Sequence, residues 1–127
     1  MTEDGYILAV YRIPGKLGTE DPFQDVDIEI ELANDEVDKP AVLFQHGILD
    51  SANAWIMHYS DLSPAFIAAE AGYDVWLNNS RGNTFSRRHV RWSPDHDKNE
   101  FWAFDWQEMG KYDMPAVIDY ILDKKEK

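Results

Sequence analysis

The sequence predicts an α/β fold in which two antiparallel strands are followed by a β-α-β-α unit. Residues 26–32 alternate strictly between apolar and acidic side chains, which is typical of a strand with one exposed face. Residues 41–45 form a short apolar run, and 73–77 form a second candidate for a buried strand. Helical patterns follow each of these two segments. Strands that alternate with helices in this way form mainly parallel sheets.

The two antiparallel strands are assigned to residues 6–13 and 26–32. The first segment is rich in β-forming residues, follows an Asp-Gly turn signal and is closed by Pro-Gly. In the second segment the apolar side chains fall on one face and the acidic ones on the other, so the strand is expected to be half exposed.

The helix between the two buried strands carries signals for both of its ends. Ser63 is a good N-cap, Pro64 suits the first turn and Gly72 suits the stop. The helix is therefore expected over 64–71.

The last helix follows a long loop, residues 78–104. Five apolar residues match the i, i+3, i+4, i+7, i+8 template: Met114, Val117, Ile118, Ile121 and Leu122. Asp113 is expected to cap this helix, with Pro115 in its first turn. Asp105 with Glu108 suggests a shorter helical turn before it.

The composition is that of one globular domain and restricts its partners. The 127 residues carry a formal net charge of −12, which argues against nucleic acid as a partner. Residues 20–39 hold nine acids and one base, a pattern more typical of a solvated strand and loop than of an acidic binding surface. No cysteine is present, which excludes disulfides and thiolate metal sites. No apolar run reaches the ~20 residues of a transmembrane segment.

His46-Gly47-Ile48 directly follows the first buried strand. A glycine here can serve a tight strand exit, which is the commoner reason for one. It can also let the next backbone N–H point into the crevice where ligands bind to such sheets. The three residues alone leave both explanations open.

Five separated segments extend this observation: TEDGYIL, QHGIL, AGYDVWLNNSRGN, EFWAF and KYDMPAVIDYIL. In this order they resemble the N-terminal part of the acid lipase family, the gastric and lysosomal lipases and steryl-ester hydrolases of the α/β-hydrolase fold. The resemblance covers residue 2 to about 122. It implies that residues 1–127 are a partial α/β-hydrolase domain with an incomplete sheet, without the nucleophile strand and everything after it.

The resemblance also implies a function and a site. It implies a serine carboxylic-ester hydrolase acting on triacylglycerols or steryl esters, in which the Ile48 N–H forms part of the oxyanion hole and His46 and Gly47 shape its loop. It implies no cofactor and no metal. None of the six serines lies in a Gly-x-Ser-x-Gly setting, so this chain by itself is predicted to be inactive, with no triad Ser, Asp or His. The alternative is a catalytically inactive half-domain that serves as a structural subunit or scaffold.

Two departures from the family pattern are visible. Asn78 stands where the family usually has glycine, and the acidic segment 20–39 is longer than the family connection. The missing strand would leave 41–45 at a sheet edge, so the remainder of the domain or another chain is expected to pair there. The resemblance suggests a secreted or lysosomal location.

Other clusters have simpler explanations. His89 and His96, with nearby acids, fit no familiar ligand spacing and are expected in a solvated loop. Four arginines beside aromatic residues are expected to form ion pairs within a packed loop rather than to bind nucleic acid: Arg81, Arg87, Arg88 and Arg91.

Overall fold

The structure, a computed structural model, describes residues 1–13 and 39–126. Its strands are β1 (Tyr6–Ile7), β2 (Val10–Ile13), β3 (Ala41–Phe44), β4 (Asp74–Asn78) and β5 (Arg88–His89). Its α-helices are α1 (Pro64–Glu70), α2 (Lys98–Phe101), α3 (Trp106–Glu108) and α4 (Met114–Lys125). A 3-10 helix spans Ala52–Trp55, and a π-helical turn, Met109–Asp113, joins α3 to α4. The strand predicted at 26–32 lies outside the described residues.

The main sheet has three strands in the order β2-β4-β3. β2 runs antiparallel to β4, and β3 runs parallel to β4 with Phe44 opposite Leu77. All five residues of β4 are buried. β3 packs on both faces, as predicted for 41–45, but its side chains are only half-buried or exposed because it forms one edge of the sheet within 1–13 and 39–126.

The single strand predicted over 6–13 is wrong in one respect: it is broken in two. β1 pairs with β5 in a separate two-stranded sheet, and only β2 joins the main sheet. The break falls at Ala9, whose N–H donates to Oγ of Ser86 and whose carbonyl accepts from the N–H of Asn79. These two hydrogen bonds of Ala9 hold the chain where it passes from one sheet to the other.

Alternate residues of β4 face two apolar clusters. Val75 and Leu77 pack against the α1 side of the sheet, and Trp76 packs against α4. The 3.6-residue pattern correctly predicts α4, in which Val117 and Ile121 are buried. Ile118 and Leu122 of the same pattern are 44% and 52% exposed. The α4 face is therefore only partly covered by the described residues.

Ser63 stands at the predicted N-cap position of α1, with extended backbone, but neither predicted N-cap makes a side-chain capping bond. Ser63 makes no side-chain cap, because its hydroxyl donates to the carbonyl of His58 and accepts from the same residue's N–H. Asp113 also makes none. It lies inside a continuous helical run from Trp106 onwards, where the N–H of Met114 already donates to the carbonyl of Met109.

The other helix signals are confirmed. Asp105 and Glu108 form a capping box at the true start of this run: Asp105 Oδ1 accepts from Gln107 N at 2.7 Å, and Asp105 N donates to Glu108 Oε2 at 2.9 Å. Gly72 follows α1 with φ +94°, as expected of a helix stop. Among the helices of 1–13 and 39–126, none is long and apolar enough to cross a membrane.

Candidate functional site

The candidate site lies at the carboxyl ends of β3 and β4. Because Phe44 and Leu77 are opposite each other in parallel strands, the loop after β3 (residues 45–52) and the turn after β4 (residues 79–83) begin side by side. Ligands in open α/β sheets bind at such ends. The polar side chains of these two segments therefore form one connected group.

His46 is the buried centre of this group, with a relative exposure of 8%. Its Nε2 accepts a hydrogen bond from the backbone N–H of Ser80 at 3.0 Å and a longer one from Nδ2 of Asn83 at 3.3 Å. Its Nδ1 lies 2.7 Å from the carbonyl oxygen of Gly47. A backbone N–H can only donate and a carbonyl can only accept, so these partners assign a neutral ring with its proton on Nδ1.

The Gly47–Ile48 peptide is held by its carbonyl. That oxygen accepts from His46 Nδ1 and, at 3.3 Å, from the N–H of Asp50. The C=O and N–H of a trans peptide point in opposite directions, so fixing the carbonyl of Gly47 also fixes the direction of the Ile48 N–H. Within residues 1–13 and 39–126 no acceptor is bonded to that N–H.

The strained position in this loop is Leu49, which no sequence pattern indicated. Gly47 has no left-handed backbone, and a Cβ added to it would meet nothing within 4 Å. Leu49 instead has φ +62°, at the third position of the Gly47–Asp50 turn. Glycine or asparagine is favoured at that position of a type II turn, so a leucine there carries strain. Its side chain is fully exposed.

The side chain of Asn79 joins the two loops, a contact that the sequence did not predict. It is fully buried, its Nδ2 donates to the carbonyl of Ala9, and its Oδ1 accepts from Ala52 N at 3.0 Å and from Asn83 Nδ2 at 2.9 Å. The signal available in the sequence is the polar run that directly follows a fully buried strand, since buried amides must find partners.

The side chain of Asn78, at the end of β4, is bound by Gln45. The Nδ2 of Asn78 donates to Oε1 of Gln45 at 2.7 Å, and Nε2 of Gln45 donates to Oγ of Ser80 at 3.0 Å. Asn78 Oδ1 is buried without a partner among the described residues. These side chains therefore link the end of β4 to the residue that follows β3.

Arg81 forms a buried ion cluster beside the site. Its guanidinium is unexposed, makes two hydrogen bonds to the carboxylate of Asp4 at 2.6 and 2.9 Å, and donates through Nε to Asp113 at 2.8 Å. The cation also lies 4.1 Å from the ring centroid of Tyr6. Arg87 pairs with Asp95 at an exposed position. These contacts confirm the expected ion pairs for two of the four arginines.

Burial is the largest single influence on the pKa values in this cluster. It acts to raise the pKa of Asp4, but hydrogen bonds from Arg81 and Thr2 outweigh it, and the pKa of Asp4 is lowered. For Asp113 burial prevails over the bonds from Arg81, and its pKa is raised. The opposite directions follow from exposure, since the Asp4 side chain is 28% exposed and that of Asp113 is 1% exposed.

The other candidate side chains make structural contacts. The Nε2–H of His89 donates to the carbonyl of Asp4 at 2.9 Å, and its ring stacks on Trp92 with centroids 4.2 Å apart. Ser86 Oγ donates to the carbonyl of Asn79. In the part of the chain that the structure describes, no three His, Asp or Glu side chains are grouped as metal ligands would be.

Two models of known protein families match the chain. The chain belongs to the alpha/beta hydrolase fold family, whose model matches residues 40–127. A second model, the partial alpha/beta-hydrolase lipase region, matches residues 1–59. Both the fold class and the resemblance found in the sequence are thereby confirmed.

The similar proteins are lipases. The chain is 50% identical over 125 residues to gastric triacylglycerol lipase of Mus musculus, covering 98% of this chain and 28% of that protein. It is 46% identical over 123 residues to human lysosomal acid lipase/cholesteryl ester hydrolase, covering 97% of this chain and 27% of that protein. It thus spans about 28% of the length of the curated relatives that it matches.

Proposed function

We propose that this chain is the N-terminal segment of a serine carboxylic-ester hydrolase acting on lipid esters, and that Ile48 contributes one backbone N–H to its oxyanion hole. The observation that carries the proposal is the fixed Gly47–Ile48 peptide at the carboxyl end of β3, with the Ile48 N–H unbonded within the described residues. The lipase names of the relatives support triacylglycerols or steryl esters as the substrate class.

The chemical reason lies in how charge develops during ester cleavage. Attack of a nucleophilic hydroxyl on the ester carbonyl makes a tetrahedral centre whose oxygen becomes negative. A donor already aimed at that oxygen stabilises it without reorganisation during the reaction. The His46 ring and the Gly47–Asp50 turn hold the Ile48 N–H in one direction, as such a donor requires.

The remaining groups of the reaction would come from other parts of the enzyme. These are the nucleophilic serine, the second oxyanion donor after it, and the acid and histidine of the triad. No serine of this chain lies in a nucleophile elbow. We therefore expect no ester hydrolysis by the chain alone.

The proposed partner is the remainder of the hydrolase domain, or another chain, along residues 41–45. β3 is an edge within 1–13 and 39–126, and it has apolar side chains on both faces. An uncovered apolar edge readily accepts a further strand. Exposed Ile118 and Leu122 on α4 extend the apolar surface that such a partner would cover.

A chimera tests the proposal. The corresponding segment of mouse gastric triacylglycerol lipase is replaced by residues 1–127, and hydrolysis of tributyrin is measured beside the unmodified lipase. A functional segment should preserve hydrolysis of tributyrin well above background. The chain alone is assayed with p-nitrophenyl butyrate and should show only background.

Two outcomes would oppose the proposal. A chimera that folds, as judged by its circular dichroism, but lacks ester hydrolysis would favour the inactive scaffold. Hydrolysis by the repurified chain alone, abolished by replacing one of its own serines, would show that it holds a complete site of another kind.

A further inference from the structure

The His46 loop and the buried Arg81 cluster share one stretch of backbone, the adjoining amides of Ser80 and Arg81. The N–H of Ser80 donates to Nε2 of His46 at 3.0 Å. The next N–H, that of Arg81, donates to Oδ2 of Asp113 at 2.9 Å. Only φ and ψ of Ser80 separate the two peptide planes, so the hydrogen bond made by each amide restricts the direction of the other.

The whole turn after β4 is held in the same way. Four successive amides, residues 79–82, each donate to a different group: the Ala9 carbonyl, His46 Nε2, Asp113 Oδ2 and the Ser86 carbonyl. Three of these acceptors, on Ala9, His46 and Asp113, are distant in sequence from the turn and lie on separate segments of the chain. The direction of each of the four peptides is thus held by a hydrogen bond of its own.

Asp113 fixes both the backbone and the side chain of Arg81. Its carboxylate accepts from the N–H of Arg81 and, at 2.8 Å, from Nε of the same residue. Asp4 binds the other end of the guanidinium with both of its oxygens. Since the guanidinium and the Asp113 carboxylate are almost completely buried, neither can exchange its partner for water.

We infer that Asp113 and Arg81 are positioning residues for the oxyanion loop. They fix the Ser80 amide, which together with Nδ2 of Asn83 donates to Nε2 of His46 and so holds the ring in its Nδ1–H tautomer; the ring in turn holds the Gly47–Ile48 peptide. The inference rests on the proposed role of Ile48. It adds a link between the start of α4, through its π-helical turn, and the donor of the oxyanion hole.

Kinetics of the chimera test the functional half. Asp113→Asn removes the negative charge that binds the backbone N–H and the Nε of Arg81, and it keeps the size of the side chain. We expect kcat to fall about 10- to 100-fold, because displacement of a catalytic group by an ångström can cost about 100-fold. KM should change little, because no substrate contact is removed. Asp95→Asn, which breaks the exposed Arg87–Asp95 pair, is the matched control and should leave kcat unchanged.

A direct spectroscopic test does not depend on activity. In the chimera labelled with ¹⁵N-histidine, the His46 signal is identified by its loss in His46→Gln. At alkaline pH it should show protonated Nδ1 and unprotonated Nε2. In Asp113→Asn the ring should become a mixture of tautomers, whereas Asp95→Asn should leave it unchanged.

The outcomes separate this inference from the proposed function. An inactive chimera opposes the function, while the tautomer still reports on the positioning. A wild-type ring protonated on Nε2, or a folded Asp113→Asn variant with unchanged kcat and tautomer, would overturn the inference. If Asp113→Asn does not fold, Arg81→Lys weakens the same cluster by removing the planar fork, and both readouts should move in the same direction.

Discussion

Ser80 and His46 join the ends of two parallel strands through one hydrogen bond, from the backbone N–H of Ser80 to Nε2 of His46. This bond leaves Nδ1 as the ring's donor, and the Gly47 carbonyl receives it. The loop that follows β3 is therefore shaped by a residue that follows β4.

Leu49 should be destabilising in its present backbone conformation. Leu49→Gly removes the Cβ clash of a left-handed residue and should make the chain more stable than Leu49→Ala by about 1 kcal/mol. The comparison with alanine controls for loss of the exposed side chain. Urea unfolding followed by circular dichroism measures the difference. Equal stabilities of the two variants would show that φ +62° costs nothing here.

Gly82 should tolerate no side chain. It has φ +83°, and an added Cβ would lie 2.7 Å from Trp102 Cζ3 and 2.8 Å from Phe104 Cζ. Gly82→Ala should cost about 2–4 kcal/mol from backbone strain and overpacking. Gly110→Ala is the control: its Cβ would meet nothing within 4 Å, and alanine favours a helix by up to about 1 kcal/mol. A Gly82→Ala chain as stable as Gly110→Ala would contradict this packing.

The sequence predicts the regular elements well and the polar site poorly, for a physical reason. Periodicity and the Asp105–Glu108 capping box report local energetics, so α1, β4 and α4 are found almost to the residue. The break at Ala9 depends on Asn79 and Ser86, some seventy residues away, and no local pattern encodes it.

The caps and the site show the same limit. The local sequence around Asp113 is typical of an N-cap. In the structure, however, the N–H of Met114 donates to a carbonyl of the π-helical turn, and the carboxylate of Asp113 accepts from Arg81. The His-Gly pair points to the right loop. The strained residue is nevertheless Leu49, because the Gly47–Asp50 turn places the positive φ at its third residue.

The stability of the chain should fall at acid pH through Asp4. Its folded pKa is below the ordinary value of 3.8, so its contribution is present above that value and lost as the pH falls through the folded pKa. Asp113, whose folded pKa is raised, acts in the opposite direction: its contribution is present at low pH and lost as the pH rises through the folded pKa.

The test compares urea midpoints just above and well below pH 3.8. Asp4→Asn should flatten the acid-side loss of stability relative to the wild-type chain. The same acid-side loss in both proteins would show that Asp4 titrates alike in the folded and unfolded states.

The chain should self-associate through its uncovered apolar surface when no partner is present. β3 offers an unpaired edge within 1–13 and 39–126, and Ile118 of α4 is 44% exposed. Ile118→Lys should weaken association seen by light scattering, while Asp119→Lys, on the polar side, should not. A monodisperse monomer with slowly exchanging amides throughout 41–45 would oppose this expectation.

The most direct test of the central claim is the kcat of the chimera after removal of the Ile48 N–H. Proline suits the second position of the Gly47–Asp50 turn, so Ile48→Pro should delete the donor while keeping the loop. Ile48→Ala keeps the N–H and controls for the side chain. We expect Ile48→Pro to lower kcat about 100- to 1000-fold and Ile48→Ala to leave it within about threefold. A folded Ile48→Pro enzyme with near-normal kcat would contradict the assignment of Ile48 to the oxyanion hole.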